Sequence, residues 1–226
     1  MDPADFSWGY FTVSLGRIQQ PPMQIACADI GSVPQGNFGW ASSTGEGGRF
    51  PSELVAHVAS VLNAGESIAL GFECPLFVPV PASEGELGKG RPGEGSRPWS
   101  AGAGSGALAT GLAQVAWVLA RTRSLLRVTA TGHLDWSEFN AASPALLVWE
   151  AFVTGAAKGV SHAEDARIAI RAFQASLPNP AAAASVRANC PVQSLAGAAL
   201  LRAGWSADLG LLAQECIVIR AAANAA

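Results

Sequence analysis

Apolar runs in this chain are short and sharply bounded, as in strands buried between layers. Gln24 to Ile30 reads as one strand, ended by Gly31 and Pro34, and Asn37 to Ser43 as a second strand joined to it by a turn. Behind Pro51, the apolar positions Leu54, Val55, Val58, Val61 and Leu62 recur at helical spacing and predict a helix to about Asn63. Ser67 to Glu73 and Leu146 to Glu150 predict two more strands, and Ser161 to Ser176 a helix. From Val78 to Gly106 the chain is rich in Gly, Pro, Ser and Glu without periodicity, which reads as a long loop. Helices are expected at about Ala107 to Ser124 and Val192 to Arg202, and a last strand at Cys216 to Ile219. Strands alternating with helices predict the α/β class. The whole chain, 1–226, reads as a single domain, with a loop insertion at about 78–106 and a helix–strand extension at about 190–220.

Composition narrows the function classes. Half the 226 residues are hydrophobic and only 14% are charged, which excludes a disordered chain. The formal net charge of −3 excludes a protein held to nucleic acid by bulk positive charge, so any such contact must be local and metal-assisted. Cys27, Cys74, Cys190 and Cys216 are scattered without a CxxC pair and read as reduced core thiols. The start, Met1-Asp2-Pro3-Ala4-Asp5, is acidic where an export signal is basic. Pro98 to Ala120 is uncharged, but it is Ala- and Gly-rich and contains Gln114, which predicts a buried helix in preference to a membrane span. These features together predict a cytoplasmic protein with no membrane partner.

Two familiar motifs are set aside on context. Gly88-Lys89-Gly90-Arg91-Pro92-Gly93 spells GxGxxG, but it lies in loop and holds a proline. Gly159-Val160-Ser161-His162-Ala163 resembles a nucleophile elbow, yet no histidine follows His162 to act as its base. Ser161 is better read as a helix N-cap, with Glu164 completing a capping box.

The informative residues are acids in apolar surroundings. Asp29 ends the first strand and Glu73 a later one. If the two strands are parallel neighbours, both carboxylates sit at the carboxyl-terminal edge of the sheet, where open α/β sheets bind ligands. At about 100° per residue, Glu164, Arg167, Arg171 and Gln174 form one polar stripe of the Ser161–Ser176 helix. His162 and Asp165 fall on the apolar side with Ala166, Ala169, Ile170 and Phe173. Each residue also has a plain structural reading: strand-end acids cap turns, and groups in a helix's first turn complement its dipole. Facing one another, however, these carboxylates call for a cation, and an oxygen-rich set selects Mg²⁺ or Mn²⁺. Glu150, at the end of a further strand, is either a supporting acid or a strand-terminal charge.

In this order, these residues resemble the ribonuclease H-like superfamily. Asp29 matches the acid of its first strand and Glu73 that of its fourth. His162-Ala163-Glu164-Asp165-Ala166-Arg167-Ile168-Ala169-Ile170 is similar to the late helix motif of the Holliday-junction resolvase branch. Ala28-Asp29-Ile30-Gly31 and Gly71-Phe72-Glu73-Cys74-Pro75-Leu76 also resemble an uncharacterised bacterial family of predicted ribonuclease H-like proteins. The likeness covers about Gln24 to Leu177. It implies a mixed sheet of five core strands, the second antiparallel to its neighbours, with helices on both faces. It also implies two divalent metals and a nucleic acid substrate.

The resolvases are basic, whereas this chain is acidic and has no basic helix, so their junction substrate is not carried over. Arg49, Lys89, Arg91 and Arg97, all on loops, are the candidate phosphate contacts near the site, Arg91 and Arg97 foremost. The expectation is a Mg²⁺- or Mn²⁺-dependent nuclease with Asp29, Glu73 and Asp165 as metal ligands and His162 assisting. The competing expectation is a non-catalytic module of the same fold, binding a small ligand or protein partner through the 78–106 loop.

Overall fold

The computed structural model describes residues 23–222; the acidic start at Met1 to Asp5 lies outside them. In chain order the strands and helices are β1 (Met23–Asp29), β2 (Gly39–Ser42), β3 (Gly47–Gly48), α1 (Pro51–Asn63), β4 (Ser67–Phe72), β5 (Phe77–Pro79), α2 (Gly102–Leu125), β6 (Thr131–His133), α3 (Trp136–Ala141), β7 (Ala145–Phe152), α4 (His162–Ser176), β8 (Val192–Ser194), α5 (Leu195–Arg202) and β9 (Val218–Arg220). The α/β class expected from the sequence is what forms.

Seven strands build one mixed sheet in the order β3-β2-β1-β4-β7-β6, with β9 also pairing β7. β1, β4 and β7 run parallel, and β2 is antiparallel to both β1 and β3. β6 takes the first half of β7 and β9 the second, both parallel to it. The sheet is therefore wider than the five strands the resemblance implies. The additions are a three-residue strand before α3 and the C-terminal β9.

Residues on the central strands alternate between two apolar layers, as pleating demands. Ala26, Ala28, Ile68, Leu70, Phe72, Leu146 and Val148 face α1, α2 and α5. Ile25, Cys27, Ala69, Leu147 and Trp149 face α3 and α4, where Trp136, Phe139, Ile170 and Phe173 fill the layer. Gly71 lies under Trp149, where a Cβ would overlap the indole.

Three expectations are corrected. The segment 78–106 is not one uninterrupted loop: Phe77–Pro79 pairs with β8, and α2 begins at Gly102. The residues Val192–Ser194, expected as helix, are that partner strand. Helix α2 is not a buried helix. Gly111, Val115, Val118, Leu119 and Thr122 are covered, while Leu112, Trp117 and Leu125 stand exposed. It is the one helix among the described residues long and apolar enough, by length and composition, to cross a membrane. Its Ala/Gly composition gives hydropathy no contrast between the two sides, so a surface helix reads like a core one.

Candidate metal centre

The parallel register of β1 and β4 aligns Ala28 with Phe72, so Asp29 and Glu73 emerge side by side at the carboxyl edge. Both follow residues of the α1–α2 layer, so by alternation both acids turn to the α4 side. Helix α4 arrives over this edge because Gly39, on β2, has no side chain. A Cβ there would overlap the backbone of His162 and Ala163. Ser161 Oγ accepts from the Glu164 N–H at 3.2 Å and starts the helix there. The cap is as expected, although Glu164 itself pairs with Arg167 and Arg171.

This convergence brings all four predicted residues together. Carboxylate oxygens of Asp29, Glu73 and Asp165 lie within 4.8 Å of one another. His162 Nδ1 pairs with Asp29 Oδ2. Asp165 Oδ1 accepts from the Gly159 N–H at 2.6 Å, and its Oδ2 from Lys158 Nζ at 2.9 Å. Lys158 Nζ also lies 3.0 Å from Glu73 Oε1. Glu73 Oε2 is buried and has no partner.

The electrostatics are those of acids crowded away from water. Burial pushes the Asp29 carboxyl up, opposed by its hydrogen bond with His162. Burial and the neighbouring Asp29 push Glu73 up to about 9, against the pull of Lys158. Burial works against the Lys158 charge, but Glu73 and Asp165 outweigh it and hold its pKa above the ordinary lysine value.

A pH dependence follows for the metal-free protein. Glu73 titrates near 4.5 when unfolded and near 9 when folded. Between those values the native state holds a proton the unfolded state has lost, so stability falls as pH rises. One such proton gives a slope of at most about 1.4 kcal/mol per pH unit. Asp29, also raised by burial, acts in the same direction. Urea unfolding of chelator-treated protein from pH 5 to 9 should show this decline, and Glu73→Gln should flatten it. A flat wild-type profile would contradict the assignment.

The set suits a hard divalent cation. Its donors are all carboxylate oxygens, they converge within one ion's reach, and one buried oxygen has no other use. Beside it opens a cleft of about 90 Å³, lined by Glu73, Lys158, Arg97, Phe152, Thr154 and Gly104 among others. Arg97 is exposed at this cleft, as a phosphate contact requires. No family model, curated protein or solved structure matches the chain.

Two candidates fall away. The Arg91 side chain is 1% exposed and fully engaged. Its Nη1 and Nη2 hold Glu150 at 2.9 and 2.6 Å, Nε holds Glu94 at 2.8 Å, and Nη1 also reaches the Phe77 carbonyl at 3.2 Å. It has no donor to offer a phosphate. Glu150 is neither a supporting acid nor a free strand end. It aligns with Phe72 across β4 and β7, hence on the opposite face from Glu73, and accepts from Arg91 and the Leu76 N–H. Of the other loop cations, Lys89 pairs with Glu86 on the surface and Arg49 is exposed.

Sequence reasoning missed Lys158. It lies in an aperiodic stretch between β7 and α4, seven residues before Asp165. The one available signal was a lone cation within reach of an acid already singled out.

Proposed function

We propose that this chain is a Mg²⁺- or Mn²⁺-dependent phosphodiester hydrolase of the nuclease type, built on a ribonuclease H-like sheet. The carrying observation is the trio of buried Asp29 and Asp165 with half-buried Glu73, whose covered Oε2 has no partner. The run β3-β2-β1-β4-β7, with β2 antiparallel to its neighbours, supports the fold assignment. Asp29, Glu73 and Asp165 would hold the metal. Divalent ions bound there supply an activated water and charge stabilisation at the leaving oxygen.

The chain's own groups prepare for that chemistry. His162 orients the Asp29 carboxylate through Nδ1. The Gly159 amide fixes Asp165. Arg97 offers positive charge on the cleft, which has room for a single phosphate unit, in keeping with local contact to nucleic acid by an acidic protein. Three buried free thiols, Cys27, Cys74 and Cys216, fit a reducing compartment and a cytoplasmic setting.

The second reading, a non-catalytic binding module, is favoured by one observation: Lys158 already sits among the carboxylates. Calorimetric titration with Mn²⁺, followed by a panel of structured DNA and RNA, tests the first reading. Binding with metal-dependent cleavage is expected; no heat of binding at millimolar Mn²⁺ would leave the module reading.

A further inference from the structure

Lys158 stands where a cation is wanted. Its ammonium bridges Glu73 Oε1 and Asp165 Oδ2 at 3.0 and 2.9 Å, two carboxylates of the trio that converges with Asp29. A divalent ion held by these carboxylates would draw on the same negative charge that the ammonium now neutralises. Two cations within a few ångströms repel, the more so beside carboxylates that are mostly covered. The two therefore compete for the trio.

Lys158 also has somewhere to go. Its side chain is 44% exposed, and it lines the 90 Å³ cleft with Arg97. The turn before it contains Gly155 in the left-handed region, φ +60°. Rotated away from the carboxylates, the ammonium would remain on the wall of that cleft, which Arg97 also lines. With the metal holding the trio's charge, an anion between the ammonium and Arg97 would replace the ion pairs that the lysine gives up.

We propose that Lys158 is a built-in counter-ion that exchanges with the divalent metal, and that its release into the cleft creates the second half of a phosphate site. The inference rests on the metal reading above. It has a thermodynamic signature. Removing Lys158 removes the competitor, so metal binding tightens. In the intact chain metal and phosphate promote one another's binding, and the coupling is reciprocal. The device gives order to loading: the anion site is incomplete until metal has displaced the lysine. It also keeps the carboxylates assembled without metal.

The test is calorimetric Mn²⁺ titration of wild type, Lys158→Met and Lys158→Arg, each with and without inorganic phosphate. Lys158→Met should bind Mn²⁺ about tenfold more tightly than wild type. Lys158→Arg keeps the competing charge and should stay within about threefold of wild type. Phosphate should tighten Mn²⁺ binding in wild type and lose that effect in Lys158→Met. If Lys158→Met binds no better than wild type, or Lys158→Arg tightens equally, the exchange is wrong while the metal site stands. Absence of phosphate coupling in wild type overturns the released position. If none of the three proteins binds Mn²⁺, the metal reading itself falls, and the exchange with it.

Discussion

Arg91→Met should destabilise the protein by about 3–5 kcal/mol, the largest effect expected of any single substitution considered. The guanidinium is sealed from water between Glu94 and Glu150, and the two carboxylates are equally covered. Removing the cation leaves two acids buried without their counter-charge; the loss exceeds the worth of the ion pairs themselves. The Glu150 carboxylate keeps the Leu76 N–H, and Glu94 keeps the Arg91 N–H at 2.7 Å, but neither amide replaces a full charge. Urea unfolding measures the difference. Neutralising the acids as well, by adding Glu94→Gln and Glu150→Gln, should recover a substantial part of it. A loss under about 1 kcal/mol in Arg91→Met would mean the acids find water, contrary to their burial. Because Arg97 follows six residues later in the same loop, loss of the anchor should also loosen the wall of the cleft.

Asp29→Asn should weaken Mn²⁺ binding about 100-fold or more, since it removes a charged ligand and not merely its support. The amide keeps the size of the carboxylate and can still hydrogen-bond His162, so the fold should survive. Its effect on stability without metal should be neutral or favourable, because the carboxyl is destabilised by burial and lies beside Glu73 and Asp165. Calorimetry gives the first quantity and thermal unfolding in chelator the second. Loss of binding with retained stability is the pattern of a metal ligand. Wild-type affinity in the variant would remove Asp29 from the site.

The acids that converge were legible because each ends or sits on an element with a clear apolar pattern. Asp29 and Glu73 end strands long enough to show their apolar run, and Asp165 sits on an amphipathic helix whose buried face is unambiguous. Elements of three residues, such as β6 and β8, carry little more than one alternation and leave no pattern. The first turn of α2 is hidden by Gly102, Gly104 and Gly106, residues that local propensity assigns to loop. Arg91 was misread for a different reason. Its Gly/Pro-rich neighbourhood indicates solvent, and nothing nearby in sequence announces a carboxylate 59 residues away. Glu150 was ambiguous because its side of the sheet depends on register with β4, which strand pattern alone does not determine.

The buried Arg91 pairing has a consequence for how the chain meets proteases. Residues 84–90 are exposed and lie in the loop that Arg91 fastens, so a cut there severs the backbone without releasing either end. On one side of the nick, Phe77–Pro79 is zipped to Val192–Ser194; on the other, Arg91 is clamped to Glu150. The nicked protein would migrate as two fragments under denaturing conditions and as one body under native ones. Limited digestion would thus distinguish an ordinary surface loop from a fastened one, and the cleft would persist in the clipped form.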